Sequence, residues 1–254
     1  MIIPFVWMIS TALKSRGELF VYPPVWIPEK LQWVNFLTVF ETLPFGQFFL
    51  NSMKVALLQT AGTLISCSSA AYAFARLRFW GKEALFAIVL LTMMIPGQVT
   101  MIPVFIIMRF LGWYDTHLPL WVPSFFGSAF GIFLLRQFFS TLPTELDDAA
   151  KIDGCNYLQI FCNIYLPLSK PALATLAVMT FMGSWNNLLG PVIYLKTIDK
   201  LTLTVGLTFF QGQYVTDYTL LMAGSLISIM PILILYVIAQ KYFVRGIALT
   251  GIKG

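Results

Sequence analysis

Five stretches of about 20 or more mostly apolar residues account for nearly half of this chain. A helix of roughly 20 apolar residues crosses a bilayer core that is about 30 Å thick. Only 11% of the 254 residues are charged and 58% are hydrophobic, against roughly 25% and 45–50% in a soluble domain. We therefore predict an all-α, polytopic membrane helix bundle with spans at residues 50–75, 84–107, 118–139, 171–195 and 218–240.

A sixth apolar stretch, residues 1–13, would reach only about 20 Å as a helix and cannot cross a bilayer alone. A signal peptide is the alternative interpretation. However, no basic segment precedes the apolar run, and no small-x-small cleavage site closes it before Lys14. We interpret it as a truncated first transmembrane helix, which brings the expected total to about six within a single domain, residues 1–254.

Basic residues indicate the orientation of the predicted bundle. The short connection 76–82 carries Arg76, Arg78 and Lys82, and basic residues in short loops favour the cytoplasmic side. On this orientation the polar segment 145–171 is cytoplasmic, whereas residues 14–47 and 196–217 lie outside. The other basic residues are scattered at helix ends, which is typical of anchoring by membrane lipid and not of nucleic-acid binding.

The sequence disfavours several kinds of chemistry. It has no GxxxxGK[S/T] motif, so we expect no ATP hydrolysis by this chain. Cys67, Cys155 and Cys162 lack metal-ligand spacing and lie far from the single histidine, His117, which argues against a metal site, a bound cofactor or an intramembrane enzyme. No charged residue lies near the middle of a predicted span, so an ion- or proton-coupled secondary transporter remains the weaker alternative.

Prolines and glycines punctuate the predicted spans. The glycines Gly127 and Gly131 form a GxxxG pattern, which predicts a helix face that another helix approaches closely. Prolines interrupt the hydrogen bonds of a helix and predict kinks in a mobile bundle. They stand at positions 96, 103, 123 and 231.

The polar segment 145–171 lies between two long apolar stretches. We predict that a helix begins there with Thr144 as its N-cap and Asp147 in a capping box, and that it ends at Gly154. Small side chains on one face of this helix leave room for another protein, and that face is formed by Leu146, Ala149 and Ala150.

A second helix is predicted to follow along the inner membrane surface. An amphipathic interfacial loop without a partner is the alternative interpretation of the same pattern. The apolar side of the second helix consists of Tyr157, Leu158, Ile160, Phe161, Ile164 and Tyr165.

The run ELDDAAKIDG at residues 145–154, followed by IYLP at 164–167, resembles the EAA loop of binding-protein-dependent ABC importer permeases. In that family the loop forms coupling helices that dock in a groove of a separate ATPase. Two departures are Asp148, where Glu is usual, and Cys155, where Ala is usual. The resemblance assigns the coupling role to Glu145, Leu146, Asp148, Ala149, Ala150, Asp153 and Gly154.

A wider resemblance covers almost the whole chain and is similar to the MalG-like permeases of the carbohydrate uptake group. It rests on residues 7–14, 22–28, 94–100, 184–186, 243–246 and 252–254. It implies a second, MalF-like permease, a cytoplasmic ABC ATPase dimer that holds ATP and Mg, and an extracytoplasmic solute-binding protein. It also implies a bacterial or archaeal inner membrane and a sugar substrate, with oligosaccharide ahead of glycerol phosphate and other polyols.

Two further sites follow from the sequence and this resemblance. Trp185, Asn186 and Asn187 are polar or aromatic groups within the predicted fifth span. They indicate either a solute path or hydrogen bonds between helices.

The second of these sites lies in the outer loop, where this family extends a segment towards the binding protein. We expect this contact at Gln211, Gly212 and Gln213. The alternative interpretation is re-entry of the loop into the membrane interface through Phe209, Phe210 and Tyr214.

Overall fold

The structure, a computed structural model, describes residues 2–212 and 216–250, with side chains as far as Gln240. In these ranges the regular structure is helical, apart from an isolated bridge between Gln211 and Thr216, and this confirms the all-α prediction. The α-helices are α1 (Ile3–Ala12), α2 (Val34–Thr42), α3 (Phe45–Arg76), α4 (Lys82–Thr92), α5 (Gly97–Phe110), α6 (Leu118–Trp121), α7 (Ala129–Thr141), α8 (Glu145–Ile152), α9 (Tyr157–Ile160), α10 (Leu166–Leu168), α11 (Lys170–Trp185), α12 (Leu189–Tyr194), α13 (Leu203–Thr208) and α14 (Tyr218–Thr250). Short 3-10 turns cover Arg16–Glu18, Val122–Phe126 and Ile198–Lys200, and a π turn covers Phe161–Tyr165.

Two stretches of the described chain are long and apolar enough to cross a membrane by themselves, Leu118–Thr141 and Tyr218–Gln240. Two bent helix pairs, α4 with α5 and Tyr157–Leu168 with α11, raise the number to four if each pair counts as one span. Helix α3 has 32 residues and extends about 48 Å, but it contains Lys54 and several serines and is not among these spans. The described residues thus give two to four such spans, against the predicted total of about six.

The predicted span at residues 84–107 is bent by 97° between α4 and α5. Pro96 lies at this break in an extended conformation, immediately before α5. Its ring has no N–H for a helical hydrogen bond and disfavours helical geometry in the residue before it. The interruption predicted at Pro96 is therefore confirmed, as a break between two helices. By contrast, Pro103 and Pro231 remain inside α5 and α14.

The chain divides into two compact units, of which the first comprises Met1–Lys54 and Trp185–Leu235. In its interior the amide of Asn51 donates hydrogen bonds to the carbonyls of Asp199, at 2.8 Å, and Leu201, at 2.9 Å. A buried amide paired in this way holds an irregular segment against a helix, because each carbonyl would otherwise lack a partner. The same unit contains the fully buried side chains of Val39, Phe45, Phe48 and Leu203.

The second unit comprises Val55–Ser184 and Tyr236–Gly254. Its core contains a cluster of aromatic rings from three segments. Tyr72 on α3 lies 5.0 Å from Tyr165 in the π turn, and Phe139 on α7 meets Tyr165 edge-on at 5.6 Å. Such contacts add to the stabilisation from burial. They fix the segment around residue 165 against the ends of α3 and α7.

The GxxxG prediction is wrong as a single helical face. Gly127 has φ of +94° and precedes α7, so it does not share a helix with Gly131. Gly131 does permit a close approach, because a Cβ atom added there would lie 2.7 Å from Sγ of Cys67 on α3. The close approach is therefore between α3 and α7 of this chain, and it depends on Gly131 alone and not on a pair of glycines.

Candidate functional site

Helix α8 begins where the sequence predicted, but not by the predicted capping. Thr144 occupies the N-cap position with helical dihedral angles, and its side chain makes no capping hydrogen bond. Its carbonyl accepts hydrogen bonds from the N–H groups of Asp147 and Asp148 instead. The capping box is therefore wrong. The carboxylates in the first turn still lie at the positive end of the helix dipole.

The end of α8 confirms the role predicted for Gly154. Gly154 has φ of +78°, in the left-handed region that glycine adopts without strain. Its N–H donates to the carbonyl of Lys151 at 3.0 Å, and the N–H of Cys155 donates to the carbonyl of Ala150 at 2.9 Å. These two hydrogen bonds form a Schellman motif, which fixes the direction in which the chain leaves the helix.

Sequence reasoning missed the signal that starts the next helix. The Asn156 side chain accepts from the N–H of Gln159 at 2.9 Å, and the Gln159 side chain accepts from the N–H of Asn156 at 2.8 Å. This reciprocal pair is a capping box of the N-x-x-Q form. Together with the Gly154 turn it makes residues 153–159 a tightly specified connection.

The second segment does not present one continuous apolar side. Ile160, Phe161 and Tyr165 are buried in the core of their unit. By contrast, 60% of Tyr157 and 69% of Leu158 are exposed. The predicted apolar face therefore splits into an anchored part and a part that is free to contact another molecule.

A buried arginine ties α8 to the neighbouring helices. The Arg76 guanidinium donates to the carbonyls of Phe139, at 2.9 Å, and Leu142, and it lies 3.7 Å from the carboxylate of Asp147. The hydroxyl of Tyr165 donates to the same carboxylate at 2.7 Å, and Arg76 lies over the Tyr165 ring. The side chains of Arg76 and Asp147 are only 8% and 13% exposed, so solvent screens this pair weakly. We call the side chains of Arg76, Asp147 and Tyr165 the anchor.

The residues that surround the Gly154 turn form an exposed patch. Ile152 is 86% exposed, on a helix whose neighbouring exposed residues are mostly polar. We call Ala149, Ile152, Tyr157 and Leu158 the loop surface. Of the two alanines expected on a common exposed face, only Ala149 is exposed, because Ala150 packs into the core. Of the remaining residues predicted here, Leu146 is half-buried, and those on the exposed side are Glu145, Asp148, Asp153 and Gly154.

The predicted solute-path residues do not lie within one helix. Trp185 ends α11, is 2% exposed and donates from Nε1 to the carbonyl of Ser228 at 3.0 Å. This is the alternative role, hydrogen bonding between helices. Asn186 and Asn187 lie in the break before α12, where the Asn187 side chain accepts from the N–H of Gly190. Both asparagines therefore lie outside the helix in which they were predicted.

The structure describes only some of the outer-loop residues that were predicted to contact the binding protein. Gln211 and Gly212 are exposed, and Gln213 lies outside the described residues, as does Tyr214 of the alternative interpretation. Phe210, which that alternative placed in the membrane interface, is 5% exposed and packs beside Phe45. Phe210 is thus packed inside its unit, whereas Phe209 of the same alternative is 51% exposed, so re-entry of this loop stays a prediction.

Metal ligation finds no support in the described ranges. Within residues 2–212 and the described residues after 215, no three His, Cys, Asp or Glu side chains come together as a metal site would require. Cys67, Cys155 and Cys162 are free thiols, and Cys67 is buried. Its Sγ accepts a hydrogen bond from the N–H of Ser128 at 3.3 Å. Cys67 therefore contributes to the packing of α3 against the start of α7.

Residues 62–249 match the family model described as "Binding-protein-dependent transport system inner membrane component". The chain is 35% identical to the arabinooligosaccharides transport system permease protein AraQ of Halalkalibacterium halodurans, over 96% of this chain and 86% of that protein. It is also 35% identical to the lactose transport system permease protein LacG of Rhizobium radiobacter, over 96% and 89% of the two chains.

One solved structure extends the likeness to the fold. It is the crystal structure of a bacterial ABC transporter involved in the import of the acidic polysaccharide alginate. The TM-score is 0.84 at 27% identity, and the match covers 95% of this chain and 90% of the other. The chain therefore belongs to the binding-protein-dependent transport system inner membrane components, the non-catalytic permease subunits of ABC importers.

Proposed function

We propose that this chain is a permease subunit of an ATP-driven importer of oligosaccharides or related sugars in a bacterial or archaeal inner membrane. Relatives named for arabinooligosaccharides and for lactose support the substrate class. Residues 1–254 act as a single transmembrane domain, whose partners are a second, MalF-like permease and an extracytoplasmic solute-binding protein. A cytoplasmic ATPase dimer supplies the energy and holds the ATP and Mg.

The observation that carries this proposal is the loop surface. Ile152, Tyr157 and Leu158 are exposed apolar side chains on a polar segment, and an exposed apolar patch of this kind favours a protein partner. Two hydrogen bonds at Gly154 hold the patch in a fixed shape, so little conformational entropy is lost on docking. The ATPase would bind the loop surface, with the carboxylates of Glu145, Asp148 and Asp153 at its rim.

The anchor supplies a route by which movement of the ATPase reaches the membrane helices. Arg76 ends α3, and the carbonyls of Phe139 and Leu142 that it binds lie at the end of α7. The carboxylate of Asp147 on α8 lies 3.7 Å from the same guanidinium group. When ATP-driven closure displaces α8, the ends of α3 and α7 are displaced with it, because separating a weakly solvated ion pair is costly. This movement drives alternating access.

The exposed Gln211 and Gly212 form part of the surface for the extracytoplasmic solute-binding protein. Amide side chains carry donors and acceptors together. Gln211 and Gln213 therefore form hydrogen bonds with polar groups of the solute-binding protein or of the sugar that it carries. Lipid surrounds the apolar spans, and the chain itself binds no cofactor.

A single substitution in the loop surface tests the proposal. Ile152→Asp places a charge on a side chain that is 86% exposed, so the fold does not bury the new carboxylate. The complex is purified in mild detergent from cells that express all subunits. We expect at least a tenfold loss of co-purified ATPase and of sugar uptake. Ile27→Asp, at a side chain that is 82% exposed in the outer segment, is the matched control and should retain the ATPase. Equal ATPase recovery with both variants would contradict the proposal.

A further inference from the structure

A cavity of about 460 Å³ lies in the second unit, within the range of about 300–1,000 Å³ that is usual for small-molecule sites. Its walls come from α3, from residues 119–128 and from the last turns of α11, all within stretches that the sequence predicts to span the membrane. The polar residues that line it are Gln59, Thr63, Ser124, Ser128, Thr180 and Ser184.

The lining has six hydroxyl or amide side chains and no Asp, Glu, Lys, Arg or His. This combination is unusual in spanning segments, because polar groups that face hydrocarbon require hydrogen-bond partners. Some of the hydroxyls are partly satisfied locally. Ser124 donates to the carbonyl of Trp121 at 2.6 Å, and Ser128 accepts from the N–H of Gly131 at 3.4 Å. Each such hydroxyl retains further hydrogen-bonding capacity.

Ser184 differs from these two residues. Its Oγ is buried and has no hydrogen-bond partner within the described part of the chain. A buried hydroxyl without a partner is unfavourable. Rotation about χ1 to another staggered rotamer would bring this hydroxyl into the cavity, where a ligand hydroxyl would satisfy its donor and its acceptor together. The lining also includes the amide of Gln59 and the hydroxyl of Thr63. The cavity therefore complements a ligand that carries several hydroxyl groups.

Because no charged side chain lines the cavity, anionic ligands are disfavoured. A carboxylate or phosphate in this cavity would lose water without gaining a cationic side chain, which is costly. A neutral polyhydroxylated ring would replace its water by the lining hydroxyls and place its C–H faces against the prolines and glycines of the wall. We propose that this cavity is a solute subsite within this chain and that it takes a neutral glycosyl unit. The inference rests on the proposed function and assigns that function a site.

Gly183 gives a direct test of the cavity. It lines the cavity, and a Cβ atom added there meets no heavy atom within 4 Å. Gly183→Leu therefore adds bulk at the lining of the cavity, and its Cβ atom meets no neighbour. Gly97 has equally open surroundings and is not part of the lining, so Gly97→Leu is the matched control. Ser184→Ala removes the unpartnered hydroxyl and leaves the volume almost unchanged.

The complete complex, with its partner permease, ATPase and binding protein, is reconstituted in liposomes. Uptake of labelled arabinotriose, lactose and an alginate trisaccharide is measured beside basal ATP hydrolysis. We expect Gly183→Leu to lower uptake of the neutral sugars at least tenfold and Ser184→Ala to lower it several-fold. Subunit recovery and basal ATP hydrolysis should stay within twofold of the unaltered complex, and Gly97→Leu should transport normally.

Three results would overturn the subsite. These are normal uptake by Gly183→Leu, loss of the partner permease from Gly183→Leu, which would mean that a helix of that subunit fills the cavity, and preferential uptake of the alginate trisaccharide. The proposed function fails in a different way. In that case the unaltered complex hydrolyses ATP but takes up none of the sugars, whatever residue stands at position 183.

Discussion

The hydroxyl of Tyr165 donates a hydrogen bond to the carboxylate of Asp147 at 2.7 Å, and Arg76 lies beside both groups. Tyr165 is fully buried, whereas the helix that carries Asp147 presents most of its other side chains to solvent. The anchor thus joins an exposed helix to the core of its unit through charged and hydrogen-bonded groups. Such contacts are directional, so they constrain the orientation of the helix as well as its position.

Arg76→Met should destabilise the protein by about 3 kcal/mol, because it removes the donor to two carbonyls and leaves the weakly exposed Asp147 carboxylate without its cation. Arg78→Met, at an exposed arginine two residues later, is the control and should have little effect. Thermal unfolding in detergent measures the stability. The ratio of sugar transported to ATP hydrolysed measures coupling, which only Arg76→Met should lower. Equal ratios for both variants would exclude a role of the anchor in coupling.

Gly154→Ala should weaken binding of the ATPase through the backbone alone. An added Cβ meets no heavy atom within 4 Å, but φ of +78° costs about 1–2 kcal/mol for a residue with a side chain. Gly154→Asn should retain more of the ATPase, because asparagine tolerates this conformation better. Recovery of the ATPase from purified complexes distinguishes the two. Identical losses for Ala and Asn would mean that side-chain bulk at the interface, and not backbone conformation, sets the effect.

Gly131→Ala should destabilise the second unit by about 1–3 kcal/mol, the usual cost of overpacking. The new methyl group would meet Sγ of Cys67 at 2.7 Å. Cys67→Ala removes that sulfur, so the double variant should recover part of the loss. A double-mutant cycle of thermal unfolding in detergent gives the coupling energy. Additive effects of the two substitutions would show that α3 and α7 move apart instead.

Asp217 should make the first unit sensitive to acid. Burial by itself raises the pKa of Asp217, but hydrogen bonds from Thr219, Leu220 and Arg16 outweigh burial and hold the pKa below its ordinary value of 3.8. Because the folded pKa is lower than the unfolded one, the stabilisation is complete above the unfolded value and is lost as the pH falls through the folded value. It is therefore present at pH 7.

Asp217→Ala tests the contribution of this carboxylate to stability. It removes the ionised group together with its hydrogen bond from the N–H of Leu220 in the first turn of α14. We expect it to lower stability by about 1–2 kcal/mol at pH 7, as loss of an N-cap does. The difference from the unaltered protein should shrink below pH 4, measured by thermal unfolding in detergent. Asp217→Asn keeps a capping side chain and should lose less. A difference that stays constant down to pH 3 would contradict the assignment to the ionised carboxylate.

The parts of the loop that the sequence predicted correctly depend on local signals. Gly154 ends α8 because a left-handed residue is required there, and the first turn of α8 carries its acidic residues where the helix dipole favours them. The spans near residues 118–139 and 218–240 were predictable for a similar reason, since apolar length alone decides them.

The parts that the sequence did not predict depend on contacts between distant segments. Helical periodicity places Leu146, Ala149 and Ala150 on neighbouring positions but does not say which of them faces the core. The aromatic cluster around Tyr165 decides that Ala150 is buried. Likewise, no local signal indicates that Trp185 is hydrogen-bonded to Ser228, a residue far along the chain.

The π turn at Phe161–Tyr165 determines where the length of this loop can change. A π turn closes its hydrogen bond one residue later than an α turn, so deletion of one residue would allow a regular helix to form. The wider turn accommodates one extra residue locally, so the segments on either side of it keep nearly the orientation that they would have in an uninterrupted helix. Deletion of one residue within 161–164 should therefore leave Leu158 on the outside and Tyr165 in the core. A deletion elsewhere between Gly154 and α11 has no such turn to absorb it and rotates the following residues by about 100°, so single-residue deletions within the π turn should be tolerated better than those in the rest of the loop.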